Sequence, residues 1–259
     1  MTKVLLTLFD GLRPDAMQAC PHPAVGELLA HSAYSLKAKT VYPSATLPCH
    51  LSLMQSVDPT RHGVLTNTFT PQPNPVKGLF ELLDEAHKTC GFFYNWEQLR
   101  DISSPAHLTY SEYFSQDHLG PVLSNTLVGE AARRAITSSF PPDFVFLYLG
   151  WPDEAGHSRG WMSPYYHEAV HHCFAILAET LAILPEDALV VLTADHGGHD
   201  RLHGTRLPED MTVPLFFYQK NATPKALADV SILDIAPTIA NAFGLAPDPD
   251  WDGRVLPLD

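Results

Sequence analysis

The sequence predicts an α/β fold in which helices cover both faces of a central, mostly parallel sheet. Short apolar runs rich in β-branched and aromatic residues recur along the chain, as is typical of strands buried on both faces. Between them lie longer stretches with apolar residues three and four positions apart, the spacing of amphipathic helices. The 259 residues are 45% hydrophobic, enough to bury a large core, and no linker-like stretch divides them. We therefore expect one three-layer α/β/α domain over residues 1–259.

The apolar patterns locate the individual elements. Continuous apolar runs predict strands at residues 4–9, 91–94, 144–149, 189–193 and 213–218. Helical periodicity predicts helices near residues 24–32, 79–87, 122–137, 165–184 and 232–243. The polar stretch at about 95–120 lacks clear periodicity but carries several aromatic residues. We expect it to form an insertion or a lid that shapes a substrate pocket.

Charge and cysteine content restrict the classes of partner. A formal net charge of −13 disfavours nucleic-acid polymers and anionic membranes, because the overall field repels both. No apolar stretch approaches the roughly 18 residues of a membrane span, and the first apolar run is too short for a signal peptide. We therefore expect a cytoplasmic protein and leave its oligomeric state open. The four cysteines form no C-x-x-C pair and are expected to be free thiols.

Aspartate and histidine residues follow three of the predicted strands. They are Asp10 after the first, Asp153 and His157 after 144–149, Asp195 and His196 after 189–193, and His203 shortly beyond. Ligand sites in such folds lie beyond the carboxyl ends of the strands, so these side chains should share one edge of the sheet. Singly, each has an ordinary explanation as a helix cap or a hydrogen-bonded core residue.

Together, these residues favour a metal site. Their mixture of carboxylate and imidazole suits zinc and also tolerates manganese or iron. Two divalent cations would concentrate positive charge in one small pocket, which would allow an acidic protein to bind a phosphate group.

The segment around Thr46 contains a candidate nucleophile. Prolines at positions 43 and 48 flank an extended stretch that leads into an apolar periodic one, which predicts a helix beginning near Thr46. Exposed backbone N–H groups and the positive end of the helix dipole would suit both an alkoxide and a phosphoryl oxygen. A simple N-cap role for the threonine fits the same segment. The segment alone leaves both interpretations open.

Five ordered motifs resemble the alkaline phosphatase superfamily, and most closely its type I phosphodiesterase/nucleotide pyrophosphatase branch and the related phosphonoacetate hydrolases. They are FDG at 9–11, PSATLP at 43–48, HGVLTN at 62–67, PDEAGH at 152–157 and TADHG at 193–197. The similarity spans nearly the whole chain. It implies an alkaline phosphatase-like fold and a metal-dependent hydrolase of small phosphate esters.

The resemblance also implies a role for each site residue. Asp153, His157 and His203 would bind one zinc ion, and Asp10, Asp195, His196 and the Thr46 oxygen would bind the other. Thr46 would attack phosphorus and form a phosphothreonine intermediate. Asn67 would hold a phosphoryl oxygen. Manganese or iron in place of zinc is compatible with the same ligands.

Departures from the family pattern leave the substrate open. Nucleotide pyrophosphatases usually carry Phe directly after the nucleophile and Asn two residues later, where this chain has Leu47 and Cys49. Trp161 replaces a proline that the family usually has. A phosphate diester, a phosphonate or a phosphate monoester therefore all remain candidate substrates.

Several histidines have no assigned role. His167, Glu168 and His171 match the H-E-x-x-H pattern of zinc proteases, a remote alternative for which the sequence shows no convincing third ligand. The same segment fits a solvent-exposed crossover helix. His199 lies either beside the metal site or in a solvated loop.

Overall fold

A computed structural model of the chain describes residues 3–72 and 75–258. Its centre is an eight-stranded sheet. The strands are β1 (Val4–Phe9), β2 (Ser32–Lys39), β3 (Cys90–Tyr94), β4 (Tyr110–Tyr113), β5 (Phe144–Leu149), β6 (Leu189–Thr193), β7 (Thr212–Tyr218) and β8 (Lys225–Ala226). Their spatial order is β4-β3-β5-β1-β6-β7-β2-β8. Only β7 is antiparallel to its neighbours in this sheet.

Eleven α-helices surround the sheet within the described residues. They are α1 (Pro14–Ala19), α2 (Pro23–Ala30), α3 (Thr46–Gln55), α4 (Pro59–His62), α5 (Leu79–Glu85), α6 (Gln116–Leu119), α7 (Pro121–Ile136), α8 (Trp151–Arg159), α9 (Pro164–Leu181), α10 (Pro208–Met211) and α11 (Ile235–Ala242). Short 3₁₀ helices lie at Glu97–Ile102, Pro105–His107 and Ile232–Asp234.

The helices form two layers, one on each face of the sheet. Phe9 of β1 packs edge-on against Phe174 of α9, whereas Phe146 of β5 contacts His50 of α3. Phe146 pairs in register with Leu6, and Leu6 and Phe9 point to opposite faces because strand side chains alternate. The helices α1, α2, α7 and α8 pack with α9, and α4, α5 and α11 pack with α3. The three-layer α/β/α prediction is therefore confirmed.

Each predicted strand and helix is present, with ends that differ by a few residues. The largest differences among the helices are three residues: the helix predicted at 165–184 ends at Leu181, and at 232–243 a 3₁₀ turn over Ile232–Asp234 precedes α11. The predicted helix at 24–32 ends at Ala30 instead, because Ser32 already pairs with Tyr218 at the start of β2.

Three strands have no counterpart in the sequence prediction. β2 and β4 carry polar residues between their apolar ones and are partly exposed, so they lack a continuous apolar run. β8 has only two residues. The segment 95–120 contributes β4 to one edge of the sheet through pairing with β3, and a lid function for this segment stays a prediction.

The structure also bears on the cysteines and on membrane-spanning helices. Cys20, Cys49, Cys90 and Cys173 are all buried and unpaired. Among the described residues, no helix combines the length and the apolar character that crossing a membrane requires.

Candidate metal centre and catalytic site

The site lies where three adjacent parallel strands end. β1 lies between β5 and β6 in the sheet, so the residues that follow these strands meet at one edge. Asp10 directly follows β1, α8 begins two residues after β5 ends, and Asp195 follows β6 by two residues. The residues at the strand ends therefore converge in the structure, as the sequence predicts.

Asp10, Asp195 and His196 form the first candidate metal-binding group. All three are buried, and one ligand atom from each lies within 4.8 Å of the others. His196 Nε2 is 3.4 Å from Asp10 Oδ1 and 3.3 Å from Asp195 Oδ2. Two carboxylate oxygens thus face one imidazole nitrogen across a space of the size that a cation occupies.

Asp153, His203 and His196 form a second, overlapping group. His203 Nε2 lies 3.7 Å from Asp153 Oδ1, and its ring stacks on that of His196 with centroids 3.8 Å apart. His157 Nε2 lies 3.5 Å from Asp153 Oδ2 on a more exposed side, where 40% of the His157 side chain is accessible. The structure thus brings all six predicted Asp and His residues together.

Backbone carbonyls hold the three histidines in one orientation. Nδ1 of His157 lies 2.9 Å from the Arg201 carbonyl, Nδ1 of His196 lies 2.7 Å from the Gly197 carbonyl, and Nδ1 of His203 lies 2.9 Å from the Ser44 carbonyl. In the neutral ring, Nδ1–H donates to the carbonyl and Nε2 keeps a free lone pair. Each Nε2 is therefore the atom that could bind a metal.

Thr46 is buried at the start of α3, with its hydroxyl beside the first group. Its Oγ1 lies 3.3 Å from His196 Nε2. The N-cap position belongs to Ala45, so the simple N-cap interpretation of Thr46 was wrong. The hydroxyl instead faces the space between the candidate ligands.

Asn67 reaches the same helix start from a loop. Its Oδ1 accepts a hydrogen bond from the backbone N–H of Leu47 at 3.0 Å. This bond occupies the amide oxygen, which leaves Nδ2 as the atom that could donate to a ligand beside Thr46.

Three buried carboxylate oxygens of the site have no hydrogen-bond partner within the described part of the chain. They are Asp10 Oδ1, Asp153 Oδ1 and Asp195 Oδ2. Burial and repulsion from Asp195 and Asp153 raise the pKa of Asp10 well above its ordinary value. Burial, with repulsion from Asp153, raises the pKa of Asp195 to about 8. Unpaired buried carboxylates are costly unless cations neutralise them, so the donor set fits divalent metal ions.

Two further residues, His50 and Tyr148, hold the first group in place. His50 lies one helical turn after Thr46, and its Nδ1 is 2.7 Å from the Thr46 carbonyl and 3.6 Å from Asp195 Oδ2. The Tyr148 hydroxyl donates a hydrogen bond to Asp10 Oδ2. The four-residue spacing from Thr46 was a signal for His50, since i and i+4 share a helix face. Tyr148 had no such signal within an apolar strand.

Trp161 packs against the second group of ligands. Its indole Nε1 donates to the Gly11 carbonyl at 3.0 Å, and its ring packs edge-on against His157 with centroids 5.2 Å apart. A Cβ at Gly156 would lie 2.6 Å from this indole, and one at Gly198 would lie 2.2 Å from it. Both glycines are therefore required for the indole to fit against the histidines.

His199 lies beside the site and supports a loop. Its Nδ1 is 2.8 Å from Oδ1 of the fully buried Asp210. Oδ2 of Asp210 accepts hydrogen bonds from the backbone N–H and the hydroxyl of Thr205. This network stabilises the chain that follows His203.

The H-E-x-x-H segment lies on α9. His171 packs against the ring of His22, and within the described ranges neither His167 nor His171 belongs to a group of three potential metal ligands. The geometry provides no third ligand for a protease-type zinc site.

Comparison with known proteins identifies the family. The sequence profile of the type I phosphodiesterase / nucleotide pyrophosphatase family matches residues 4–207. The chain belongs to this family. The match includes all six Asp and His residues of the candidate metal centre as well as Thr46 and Asn67.

Individual relatives of this family member are distant. Bis(5'-adenosyl)-triphosphatase ENPP4 of Bos taurus is 26% identical over 220 residues, which are 75% of this chain and 47% of the bovine protein. The chain thus spans about half the length of that relative.

Solved structures share the fold over nearly the entire chain. An inactive variant of murine ectonucleotide pyrophosphatase / phosphodiesterase 5 in complex with AMP superposes with a TM-score of 0.78 at 16% identity and 96% coverage of both chains. The phosphonate monoester hydrolase of Agrobacterium radiobacter superposes with a TM-score of 0.77 at 15% identity, covering 99% of this chain and 76% of the other. These likenesses confirm an alkaline phosphatase-like fold.

The raised pKa of Asp195 predicts that the metal-free protein loses stability in alkaline solution. The folded-state pKa of about 8 lies above the ordinary value of 3.8, so between these pH values the folded chain keeps a proton that the unfolded chain has released. The free energy of unfolding therefore decreases as the pH rises from 3.8 to about 8, and the loss is complete above that pH. We expect Asp195→Asn to raise the melting temperature of the metal-free protein at pH 9 and to change it little at pH 5.

Thermal unfolding with and without zinc tests this expectation. Zinc should stabilise the wild-type protein at pH 9 more than the Asn variant, because the variant has lost one charged ligand. Equal melting temperatures of the two metal-free proteins at pH 9 would show that Asp195 is not under electrostatic strain.

The contact between Trp161 and His157 predicts a fluorescence signal for metal binding. We expect zinc titration to change the tryptophan emission of the wild-type protein and Trp161→Phe to lose most of that change. The variant should also bind zinc about 10- to 100-fold more weakly, as is usual when the support of a ligand is removed. Trp96→Phe is the matched control and should retain both the signal and the affinity.

Proposed function

We propose that this protein is a metal-dependent hydrolase of small phosphate diesters that uses Thr46 as its nucleophile. The observation that carries the proposal is the buried Thr46 hydroxyl, 3.3 Å from His196 Nε2, beside two overlapping groups of ligands with unpartnered carboxylate oxygens. Family membership supports the same reaction type.

The two ligand groups assign residues to two divalent cations. Asp10, Asp195, His196 and the Thr46 oxygen would hold one, and Asp153, His157 and His203 would hold the other. The mixture of carboxylate and imidazole donors favours zinc. Two such ions would lower the pKa of the Thr46 hydroxyl and neutralise charge on the leaving oxygen.

The reaction takes place in two displacements at phosphorus. In the first, Thr46 Oγ1 loses its proton and forms a bond to phosphorus while the ester bond to the leaving alcohol breaks, giving a phosphothreonine. In the second, water attacks phosphorus, the bond to Thr46 Oγ1 breaks and the hydroxyl regains a proton. The backbone N–H of Thr46 and Nδ2 of Asn67 would stabilise the non-bridging oxygens.

The residues after the nucleophile argue against nucleotide specificity. Leu47 and Cys49 are both completely buried, so neither presents a surface on which a nucleobase could stack. AMP binds to the murine neighbour, but this chain lacks an aromatic side chain directly after Thr46. We therefore propose that its substrate is a small phosphate diester that need not contain a nucleobase.

Phosphonate esters are the second candidate substrates. The Agrobacterium neighbour is a phosphonate monoester hydrolase, and the same nucleophile and ligand groups would act on a phosphonate ester without change. Parallel assays with bis-p-nitrophenyl phosphate and p-nitrophenyl phenylphosphonate distinguish the two classes by their ratio of kcat/KM.

Replacement of the nucleophile tests the mechanism. We expect Thr46→Ala to lower kcat for bis-p-nitrophenyl phosphate by at least about 10³-fold, while metal analysis still finds two bound ions at saturating zinc. Thr46→Ser should recover part of the rate because it restores a hydroxyl. A Thr46→Ala protein with near wild-type turnover would exclude covalent catalysis by this residue.

Asn67 provides a second, independent test. Asn67→Asp keeps an oxygen for the Leu47 N–H but cannot donate from the other atom, and it places a negative charge near the phosphoryl group. We expect kcat to fall by about 10²-fold with little change in melting temperature. Thr66→Ala, one residue earlier in the same exposed loop, is the matched control and should be close to wild type.

A further inference from the structure

Four exposed arginines form no ion pair within the described residues, and three of them lie within three residues of a candidate ligand. These three are Arg159, Arg201 and Arg206. Most other arginines contact a carboxylate, namely Arg13, Arg61, Arg100, Arg133 and Arg134. Arg254 instead donates to the Asp229 carbonyl. Three of the four arginines without a counterion therefore cluster near the site, in a chain whose net charge is −13.

These three arginines flank the ligands that would neutralise the leaving oxygen. Arg159 follows His157 by two residues and ends α8. The carbonyl of Arg201 lies 2.9 Å from His157 Nδ1. Arg206 follows His203 by three residues. The backbone of all three is thus close to the ligands on the leaving-group side of the proposed reaction.

Arg206 has the best-defined position of the three. Its guanidinium carbon lies 3.8 Å above the centre of the Tyr42 ring, and 41% of Tyr42 is exposed. The two segments are joined by further contacts, since Ser44 Oγ donates to the Thr205 carbonyl at 2.8 Å and the Ser44 carbonyl lies 2.9 Å from His203 Nδ1. The stacked pair is thereby linked to the segment that leads into Thr46.

The backbone beside Arg206 is also held firmly. The buried Asp210 carboxylate accepts from Thr205 N at 2.9 Å and from Thr205 Oγ1 at 2.7 Å. Leu207 N donates to the same hydroxyl at 3.1 Å. Arg206 therefore projects from a rigid turn rather than from a free loop.

Stacking on an aromatic ring prepares a guanidinium for an anion. The ring occupies one face of the planar group, while the N–H donors point outward in the plane and remain free to form paired hydrogen bonds. Carboxylates and phosphates match that geometry. The overall negative charge of the protein repels anions, so a local guanidinium without a counterion is the group that would select one.

We propose that Arg206, stacked on Tyr42, binds a second anionic group on the leaving group of the substrate, either a carboxylate or a phosphate. The inference rests on the proposed phosphodiesterase function and narrows its substrates to esters of anionic alcohols.

Matched esters test the inference through turnover. Methyl phenyl phosphate, methyl m-carboxyphenyl phosphate and methyl m-phosphonophenyl phosphate differ in the meta substituent of the leaving phenol, which is hydrogen, a carboxylate or a phosphonate. Release of the phenol is followed by chromatography. For the zinc-loaded wild-type protein we expect kcat/KM to be at least about tenfold higher for one of the anionic esters, in line with one charge-assisted contact. The preferred ester distinguishes a carboxylate from a phosphate.

Variants test whether the preference for anionic esters depends on the stacked pair of Arg206 and Tyr42. Arg206→Gln should reduce the ratio of anionic to neutral kcat/KM to about that of the uncatalysed reactions, and Tyr42→Leu should reduce it partly. Arg134→Gln is the control, because Arg134 lies near the end of α7 that leads towards the amino end of β5. An unchanged ratio in Arg206→Gln, or an equal loss in Arg134→Gln, would overturn the inference.

A binding measurement separates this inference from the proposed reaction. Titration calorimetry with zinc-loaded Thr46→Ala, alone and combined with Arg206→Gln, gives Kd for the same esters without turnover. The inference is supported if Thr46→Ala binds an anionic ester at least about tenfold more tightly than the neutral one and the double variant does not. This holds even when the wild-type protein hydrolyses none of the three esters, because that result would refute only the proposed diesterase activity. Equal Kd values for all three esters in Thr46→Ala refute the anion site whatever the activity.

Discussion

The burial of three aspartates at one edge of the sheet is the constraint on which the rest of the site depends. Asp10, Asp153 and Asp195 come together because β1, β5 and β6 are adjacent and parallel. Each keeps a buried oxygen without a partner among the described residues, and their mutual repulsion adds to the cost of burial. Such a cluster is unfavourable by itself and becomes favourable when cations are bound, which makes metal binding and stability two aspects of one arrangement.

The surrounding structure resists relaxation of this cluster. Tyr148 and His50 contact the carboxylates from the α3 face, and backbone carbonyls set the orientation of the three histidines. Trp161 packs beside the histidines, and its indole fits there only because positions 156 and 198 are glycine. Side chains held this way cannot turn towards water, so the strain remains available for binding ions in a preformed geometry.

We propose that substrate choice depends on a different part of the molecule. The position after Thr46 is buried in the core, which removes the surface that would recognise a base, whereas the loops after His157 and His203 carry guanidinium groups with no counterion within the described ranges. In the function and substrate preference that we propose, strand ends would provide the reaction chemistry, and surface loops, which tolerate change, would provide the specificity.

The sequence by itself determined the layered α/β class, the five apolar strands, the Asp and His residues at the strand ends and Thr46 at the start of a helix, because these depend on local periodicity and on short motifs. It did not reveal β2, β4 or β8, whose pairing rather than apolar character makes them strands. Only the tertiary structure decided that Thr46 faces His196 instead of capping its helix, and that Tyr42 lies under Arg206. These contacts join segments about 150 residues apart in the chain, and no local pattern encodes which distant side chain will fill a given space.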